Sequence, residues 1–323
     1  MAKEMRALQI TAPGEAQIVN VEVPTPPPGE VLVRVEAVTI CTQWDLTMLA
    51  GKDIFERPDY PKYPIQVGVP GHEMSGVVVD VGPKSSWCQD GDRVAAWSSR
   101  GSQRKGRMGY YAEYAAIPVE DLMVAPDHLS FEEIAPLELA MCVAASIRQA
   151  GDLAGKRVAV GGAGPAGLFA IQMARTLGAK RVVAFDPQES RRSLATELGA
   201  EVAYDPTSDD SAALGDRDFD VAFECSGVAA SAQNLMRVTS GGIHLFGVVH
   251  GTIGFKTDHW GRNVALHGYP GHNYESAEMA MALISSGAVK TRPIVNRTVG
   301  FEDYLEGIES LKDGSAAKLC VVP

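Results

Sequence analysis

The sequence predicts an α/β protein made of a mainly β first domain and a second domain with a doubly wound parallel sheet. Two observations lead to this fold class. At 323 residues the chain is too long for most single cores, so two domains are expected. The apolar pattern also changes near residue 140. Short β-rich runs cut by Pro and Gly give way there to apolar runs that alternate with helical periodicity.

The first domain is predicted from five short runs that are bounded by turn residues. Runs of this kind, joined by turns, are typical of a mainly antiparallel, barrel-like domain. The predicted strands are Met5–Ile10, Val31–Val38, Met74–Val81, Arg93–Trp97 and Glu113–Ile117.

The second domain is predicted from six apolar runs, each followed by helical periodicity. Six strands with intervening helices are the full complement of a dinucleotide-binding sheet. The predicted strands are Arg157–Gly161, Arg181–Asp186, Glu201–Tyr204, Phe219–Glu224, Gly242–Val248 and Val264–Gly268.

The remainder of the chain holds two helical segments and one further strand. The helical segments are expected near 275–285 and 301–311, and the last strand is expected at Ala317–Val321. This strand is interpreted as a return to the first domain. We therefore expect the first domain to comprise residues 1–138 and 271–323, and the second to comprise 139–270.

The composition limits the classes of function. The chain is 46% hydrophobic and 21% charged, which is typical of a globular protein. Its net charge of −11 argues against nucleic-acid binding, because nucleic-acid-binding domains are usually basic. We find no signal-peptide pattern and no apolar run long enough for a membrane span. Because the five cysteines are scattered without paired spacing, we expect a cytoplasmic protein. From the charge and the apolar runs, we expect it to bind neither nucleic acid nor membranes.

A candidate metal site is indicated by His72 and Glu73, which lie between Gly71 and Gly76 at the start of an apolar run. A thiol donor, Cys41, lies upstream. Thiolate, imidazole and carboxylate groups are all zinc ligands. The three residues therefore predict a zinc site at a strand end.

A glycine-rich loop predicts a nucleotide site. The loop follows the apolar run Val158–Val160 and precedes the helical pattern Leu168–Ala174, which is the context that a phosphate-binding loop needs. Its glycines permit a tight turn, close approach of the backbone to a pyrophosphate, and close packing of the helix on the strand. The free N–H groups at the start of the helix would face the phosphates. The loop residues expected to contact the cofactor are Gly162, Gly164, Pro165, Ala166 and Gly167.

Asp186 ends the second predicted strand of the nucleotide-binding domain. A carboxylate at this position accepts hydrogen bonds from the ribose hydroxyls of NAD and repels the 2′-phosphate of NADP. Arg191 and Arg192 follow closely and could neutralise such a phosphate. We therefore expect NAD, with NADP as the less favoured cofactor and Arg191 near its ribose.

These motifs together resemble those of the zinc-dependent medium-chain dehydrogenases, the superfamily of alcohol, sorbitol and threonine dehydrogenases. The motifs that carry the resemblance are Gly71–Gly76 with Gly82, Gly91–Val94, Gly109–Tyr114 and Gly162–Gly167. The resemblance implies a GroES-like catalytic domain and a Rossmann domain that binds NAD. It also implies a homodimer or homotetramer that transfers a hydride from a secondary alcohol on a small molecule to NAD.

The resemblance assigns the candidate ligands. Cys41 matches the thiolate ligand, His72 matches the imidazole ligand, and Glu73 matches a carboxylate that binds zinc directly or during ligand exchange. Sorbitol-type members use a third protein ligand, a glutamate, and Glu138 falls on that position. This glutamate favours a polyol or sugar substrate. A buried thiol, a polar core histidine and a helix-capping glutamate are the plain alternatives, and Cys142 is expected to be helix core.

The segment Cys41-Thr42-Gln43-Trp44-Asp45 is one residue longer than the Cys-x-x-Asp element of the family. Family members pass the alcohol proton through a Ser or Thr placed two residues after the Cys. Here Gln43 or Trp44 takes that place, so Thr42 is the candidate substitute. The usual relay His is replaced by Thr47, whereas Asp45 is retained, with Lys318 as its expected basic partner.

The segment Ala95–Gly106 has no cysteine, which excludes a structural zinc held by four cysteines and leaves one catalytic zinc. The same region carries four cations that are candidates for binding a phosphate or carboxylate of the substrate, or for a solvated or subunit-contact loop. These are Arg100, Arg104, Lys105 and Arg107. Four histidines after the fifth strand are expected near the nicotinamide, although most should make ordinary hydrogen bonds. These are His250, His259, His267 and His272.

Two other classes fit parts of the pattern. A zinc-free NAD(P)H-dependent quinone or enone reductase of the same superfamily would share the fold, but such enzymes lack the Cys and His ligands. A non-catalytic nucleotide-binding relative would keep the second domain. The lengthened Cys41–Asp45 element is the feature that favours either class.

Overall fold

The computed structural model describes residues 3–57, 60–98, 107–212, 214, 215 and 217–323. Its contacts divide the chain into two compact units, Met1–Leu139 with Ile294–Pro323, and Ala140–Pro293. The sequence placed the return to the first domain at residue 271. In the structure the helix Tyr274–Ser285 belongs to the second unit.

The first unit contains nine strands among its described residues. These are β1 (Glu4–Ala12), β2 (Glu15–Glu22), β3 (Glu30–Thr39), β4 (Glu73–Val81), β5 (Arg93–Ala96), β6 (Tyr114–Pro118), β7 (Leu122–Val124), β14 (Val295–Gly300) and β15 (Lys318–Val322). Its α-helices are short. They are α1 (Thr42–Leu49), α2 (Phe131–Ile134), the start of α3 (Leu137–Ala150) and α10 (Tyr304–Lys312).

A mostly antiparallel sheet forms the body of the first unit, in the strand order β14-β15-β3-β4-β5-β7, and β6 also pairs with β3. Strands β1 and β2 form a separate hairpin. The apolar side chains of β3 and β4, such as Val33 and Val78, lie in its core. The last strand, β15, pairs with β3, so the expected return of the chain to the first unit is present. Strand β2 was not predicted, because most of its side chains are exposed and its apolar pattern is weak.

The second unit is built on a six-stranded parallel sheet in the order β10-β9-β8-β11-β12-β13. Residues on both faces of its central strands are buried, and Val158, Ala159 and Val160 are all fully buried. This explains their unbroken apolar runs. The strands are β8 (Arg157–Gly161), β9 (Arg181–Phe185), β10 (Val202–Tyr204), β11 (Phe219–Glu224), β12 (Thr239–Leu245) and β13 (Ala265–His267). The helices that follow α3 are α4 (Pro165–Thr176), α5 (Glu189–Glu197), α6 (Asp209–Ala212), α7 (Ala229–Val238), α8 (Thr257–Gly261) and α9 (Tyr274–Ser285).

This strand order is that of a doubly wound dinucleotide-binding fold, in which the order of the strands along the sheet reverses between β8 and β11. The predicted α/β class is therefore confirmed in both units. None of the helices in the described part of the chain combines the length and apolarity needed to cross a membrane.

Candidate metal and dinucleotide sites

Strand pairing in the first unit brings the predicted metal ligands together. Cys41 lies just after β3, as the N-cap residue of α1, and His72 lies just before β4. Thr39 and Glu73 are register partners in this antiparallel pair, so the segments that follow and precede them are adjacent. One ligand atom from each of Cys41, His72 and Glu73 lies within 4.8 Å of the others.

The orientation of His72 suits a metal ligand. Its Nδ1 lies 2.6 Å from the carbonyl oxygen of Pro70, so Nδ1–H donates to that oxygen and Nε2 is the ring nitrogen that a metal would use. Nε2 lies 3.9 Å from Oε2 of Glu138, which is in the first turn of α3. Burial acts to lower the pKa of His72, but Cys41, Glu138 and Glu73 outweigh it and raise that pKa well above its usual value. The surroundings of this imidazole therefore stabilise a positive charge, which is what a cation site requires.

Glu73 is fully buried and both of its carboxylate oxygens are engaged. Lys318 Nζ lies 2.8 Å from Oε2 and 3.0 Å from Oε1, and the hydroxyl of Thr39 donates to Oε2 at 2.5 Å. Lys318 also donates to the carbonyl oxygen of Ile40. The expectation that Lys318 partners Asp45 is wrong in this structure. Strand β15 lies beside β3, and Lys318 reaches across to Glu73 at the start of β4 instead.

Asp45 is held by two tyrosines. Its Oδ1 accepts hydrogen bonds from Tyr111 at 2.7 Å and from Tyr304 at 2.9 Å. Complete burial raises the pKa of Asp45 to about 6, and the two hydroxyls offset part of this effect. Sequence reasoning missed both partners. Tyr111 belongs to the Gly109–Tyr114 motif, whereas Tyr304 follows Asp45 by 259 positions and has no local sequence signal.

The lengthened segment after Cys41 places an aromatic ring against the candidate metal ligand. The rings of Trp44 and His72 meet edge to face, with centroids 5.9 Å apart, and Phe55 packs on Trp44 at 6.0 Å. Trp44 therefore covers one side of the His72 imidazole with an apolar ring. The hydroxyl of Thr42 is buried and has no hydrogen-bond partner among the described residues.

The glycine loop of the second unit has the geometry of a phosphate-binding turn. Gly162 has a φ of +86°, and Gly164 is the N-cap of α4, whose first residue is Pro165. A Cβ on Gly167 would lie 1.8 Å from the carbonyl oxygen of Gly162, so only glycine lets the helix pack this closely. A Cβ on Gly164 would meet nothing within 4 Å. The helix start is therefore packed on one side and open on the other, as a bound pyrophosphate requires.

Asp186 follows β9 and connects that strand to the glycine loop. Its Oδ2 accepts the backbone N–H of Ala163 at 2.8 Å, and its Oδ1 accepts that of Gln188 at 2.9 Å. Arg191 Nη1 lies 4.0 Å from Oδ2. Arg192 instead donates to the carbonyl oxygens of Asp186 and Pro187, so Arg191 is the nearer cation to the carboxylate.

Among the other cations and histidines singled out in the sequence, three have local partners and three lie outside the described residues. Arg100, Arg104 and Lys105 lie outside the described residues, and Arg107 pairs with Glu30. His259 Nδ1 accepts the backbone N–H of Lys256 at the start of α8. His267 stacks on another imidazole, that of His244.

Comparison with known proteins agrees with this geometry. Residues 27–127 match the model of the alcohol dehydrogenase GroES-like domain, and residues 165–286 match that of zinc-binding dehydrogenases. The chain is 31% identical to an L-threonine 3-dehydrogenase of Pyrococcus horikoshii, over 99% of both chains. It is 30% identical to sorbitol dehydrogenase of Ovis aries, over 99% of this chain and 97% of that protein.

Two solved structures are similar over nearly their whole length. One is a putative zinc-binding dehydrogenase from Sinorhizobium meliloti bound to NADP, with a TM-score of 0.87, 26% identity and coverage of 99% and 100%. The other is 2R,3R-butanediol dehydrogenase from Bacillus subtilis, with a TM-score of 0.87, 27% identity and coverage of 99% of both chains. The resemblance drawn from the motifs is confirmed: the chain belongs to the zinc-dependent medium-chain dehydrogenase superfamily.

Proposed function

We propose that this protein oxidises a secondary alcohol and transfers its hydride to NAD, with one zinc ion held by Cys41, His72 and a carboxylate. The observation that carries the proposal is that a ligand atom of Cys41 and one of His72 lie within 4.8 Å of each other, with the carboxylates of Glu73 and Glu138 beside them. Thiolate, imidazole and carboxylate donors form catalytic zinc sites that keep one position open for substrate. When bound there, zinc supplies Lewis acidity that lowers the pKa of a substrate hydroxyl.

Glu138 is the carboxylate that we assign to the metal, and Glu73 is assigned to charge balance behind it. Glu138 faces Nε2 of His72 at 3.9 Å. Glu73 is close enough to bind, but its oxygens already hold the buried ammonium of Lys318. Moving Glu73 onto a metal would leave that ammonium without its carboxylate in a buried position, which is strongly unfavourable.

Thr42 is the residue that we assign to proton transfer. Its hydroxyl is buried beside Cys41 and makes no hydrogen bond among the described residues, so it can donate to and accept from a substrate oxygen. Trp44 cannot take this role. Its ring packs on His72, and its indole has no group that can accept a proton.

The nucleotide loop supports a nicotinamide cofactor, and Asp186 supports NAD over NADP. Each oxygen of its carboxylate accepts one backbone hydrogen bond and keeps a further lone pair for a ribose hydroxyl. A 2′-phosphate would meet the same carboxylate and be repelled. NADP remains the second candidate, because Arg191 lies 4.0 Å from Asp186 and the similar Sinorhizobium structure is bound to NADP.

The names of the relatives narrow the substrate class. L-Threonine, sorbitol and 2,3-butanediol all carry a secondary hydroxyl beside a carbon with a second polar group. We propose a substrate of this kind, with polyols and sugars as the first choice because of Glu138. A homodimer or homotetramer in the cytoplasm remains a prediction, to be checked by sedimentation and by fractionation.

The proposal is tested by turnover on a panel of vicinal diols, polyols and L-threonine, with elemental analysis of the same sample. Zinc together with NAD-dependent oxidation of a panel member supports it. Reduction of quinones or enones by metal-free protein would establish the zinc-free reductase instead. Nucleotide binding without turnover on any substrate would indicate the non-catalytic relative.

The cofactor assignment is tested by kcat/KM for NAD and NADP in the wild type and in Asp186→Ser. Hydrogen bonds to a carboxylate are worth about 1.5–3 kcal/mol each. We therefore expect NAD to be preferred at least tenfold, about 1.4 kcal/mol. Asp186→Ser should remove most of this preference. Equal efficiency of the two cofactors in the wild type would show that Arg191 outweighs the carboxylate.

A further inference from the structure

Three aromatic side chains of the first unit form a line that begins at the candidate metal ligand His72. Trp44 meets His72 edge to face with ring centroids 5.9 Å apart, and Phe55 meets Trp44 in the same way at 6.0 Å. The guanidinium carbon of Arg57 lies 5.7 Å from the centre of the Phe55 ring and 4.2 Å from that of Tyr60. We call Trp44, Phe55 and Tyr60 the aromatic strip. Consecutive ring contacts therefore connect it to the candidate metal site.

The strip leads from the interior of the first unit to its surface. His72 is buried and Trp44 is half-buried, whereas Phe55 is 54% exposed and Tyr60 is 36% exposed. A single exposed aromatic residue is ordinary, but neighbouring exposed apolar rings often mark a ligand-binding surface. Because this surface begins at a candidate metal ligand, it lies where a group attached to the reacting carbon could be bound.

Arg57 belongs to the strip as a support and not as an anion-binding group. Its Nε and Nη2 each donate to one carboxylate oxygen of Asp53 at 2.8 Å, and its backbone N–H donates to Oδ2 at 2.7 Å. These side-chain hydrogen bonds lower the pKa of Asp53 to about 2. The two-pronged contact that a guanidinium makes with a carboxylate or phosphate is thus already made within the protein. The strip therefore favours an apolar group over an anionic one.

The place of Trp44 beside His72 follows from the lengthened Cys41–Asp45 segment. Counted back from Asp45, Trp44 takes the position where the family has a Ser or Thr. A small hydroxyl side chain is exchanged here for a large ring, and aromatic side chains provide much apolar contact area. The departure from the family pattern thus adds apolar surface next to the candidate metal site.

We propose that the aromatic strip binds an apolar arm of the substrate, an alkyl or aryl group on the carbon that carries the secondary hydroxyl. This inference rests on the proposed function, because the hydroxyl at the metal site is what places the arm. Glu138 favours a substrate with several hydroxyls, and the strip requires that one arm be apolar. Together they indicate a vicinal diol with one apolar arm.

The test is kcat/KM with NAD for the zinc-loaded protein on the series from 1,2-propanediol to 1,2-hexanediol, with sorbitol as the polar reference. Burial of each added methylene should raise kcat/KM about fourfold in the wild type. Phe55→Ala should flatten the series and leave 1,2-propanediol nearly unaffected, since Phe55 does not touch a metal ligand directly. Phe55→Leu should restore most of the rise. Trp87→Ala, which removes another exposed ring of the first unit, should behave as the wild type does.

Saturation-transfer NMR with 1,2-hexanediol and no NAD provides a readout that is independent of turnover. Irradiation of aromatic protons of the protein should reach the terminal methyl of the diol more strongly than its C1 and C2 protons, and Phe55→Ala should remove this difference. Arm contact without oxidation of any alcohol would support the strip and reject the proposed function.

Three results would overturn the strip while leaving the proposed function intact. The first is oxidation of diols with no rise in kcat/KM along the series. The second is the same rise in Phe55→Ala as in the wild type. The third is a preference for alcohols with a carboxylate or phosphate arm that is lost in Arg57→Gln, because Arg57 would then bind the arm as a cation.

Discussion

The candidate metal site of the first unit and the nucleotide site of the second are built from different materials. The nucleotide site is made from backbone: Gly162 turns the chain, and Gly167 lets the helix approach the loop. The metal site is made from side chains, and its support comes from distant parts of the chain, such as Lys318, which lies 245 positions after Glu73. A backbone site therefore depends on the absence of side chains, whereas the metal site depends on charges that must be paired.

This difference predicts where substitutions act most strongly. In the first unit, removing one member of a buried ion pair should dominate. In the second unit, a single methyl group added to a glycine of the nucleotide loop should be enough to lower stability and NAD binding. The effects below run from the largest to the smallest.

Lys318→Met should produce the largest loss of stability. It leaves the fully buried Glu73 carboxylate without its ammonium partner, and breaking a buried pair in this way costs about 3–5 kcal/mol. The free energy of unfolding from urea titration is the measurement. Glu73→Gln combined with Lys318→Met should recover part of the loss. If the single variant were within about 0.5 kcal/mol of wild type, as ordinary surface substitutions are, the ion pair would not support the site.

Gly167→Ala should follow, because its new Cβ would lie 1.8 Å from a backbone oxygen that cannot move freely. Overpacking typically costs about 1–3 kcal/mol, and we expect the upper end of that range together with loss of NAD binding. Gly164→Ala is the matched control, since its Cβ would meet no protein atom within 4 Å. It should leave the melting temperature nearly unchanged and weaken only NAD binding. Similar melting temperatures for the two variants would contradict the packing argument.

Tyr304→Phe should have a smaller, pH-dependent effect, because it removes one hydrogen bond to Asp45. A bond to a charged acceptor is worth about 1.5–3 kcal/mol, and a bond to a neutral group is worth about 0.5–1.5 kcal/mol. Since the pKa of Asp45 is raised from 3.8 to about 6, the carboxyl is ionised at pH 8 and protonated at pH 4.5. The destabilisation should thus be larger at pH 8 than at pH 4.5.

The same shift sets the sign of the wild-type pH dependence. An acid whose pKa is higher in the folded state binds more protons folded than unfolded between the two values. The contribution of Asp45 to stability is therefore fully present below pH 3.8 and is lost as the pH rises through about 6. Asp45→Asn should remove this part of the slope. An unaltered slope in that variant would show that another group titrates.

Much of the fold and part of the site could be predicted from the sequence. All six strands expected in the first unit, including the returning last strand, and all six of the parallel sheet are present, because local periodicity reports burial directly. Cys41, His72 and the glycine loop could be proposed as site residues because each belongs to a compact motif. Glu138 was located by its distance along the chain from that loop, and it does face His72.

What could not be predicted depends on long-range pairing. Nothing near Tyr304 or Lys318 in the sequence indicates that they bind Asp45 and Glu73, since α10 and β15 reach those residues only through the closing of the sheet. The hairpin strand β2 was missed because its side chains are mostly exposed. Helix α9 belongs to the second unit, whereas the sequence assigned residues 271–323 to the first domain. The reason is that the pattern of an amphipathic helix does not specify which unit the helix packs on.

The central claim is that zinc is held by Cys41 and His72 and that this site is independent of the nucleotide site. The most direct measurement is the zinc content and the NAD affinity of the wild type and of Cys41→Ala and His72→Ala, purified without added metal or chelator. We expect about one zinc per chain in the wild type. Each variant should lose zinc and more than about 100-fold of turnover, because even indirect perturbations of metal ligands cost about 10–100-fold. NAD affinity should be retained. Zinc retained in both variants, or NAD binding lost together with zinc, would contradict the account.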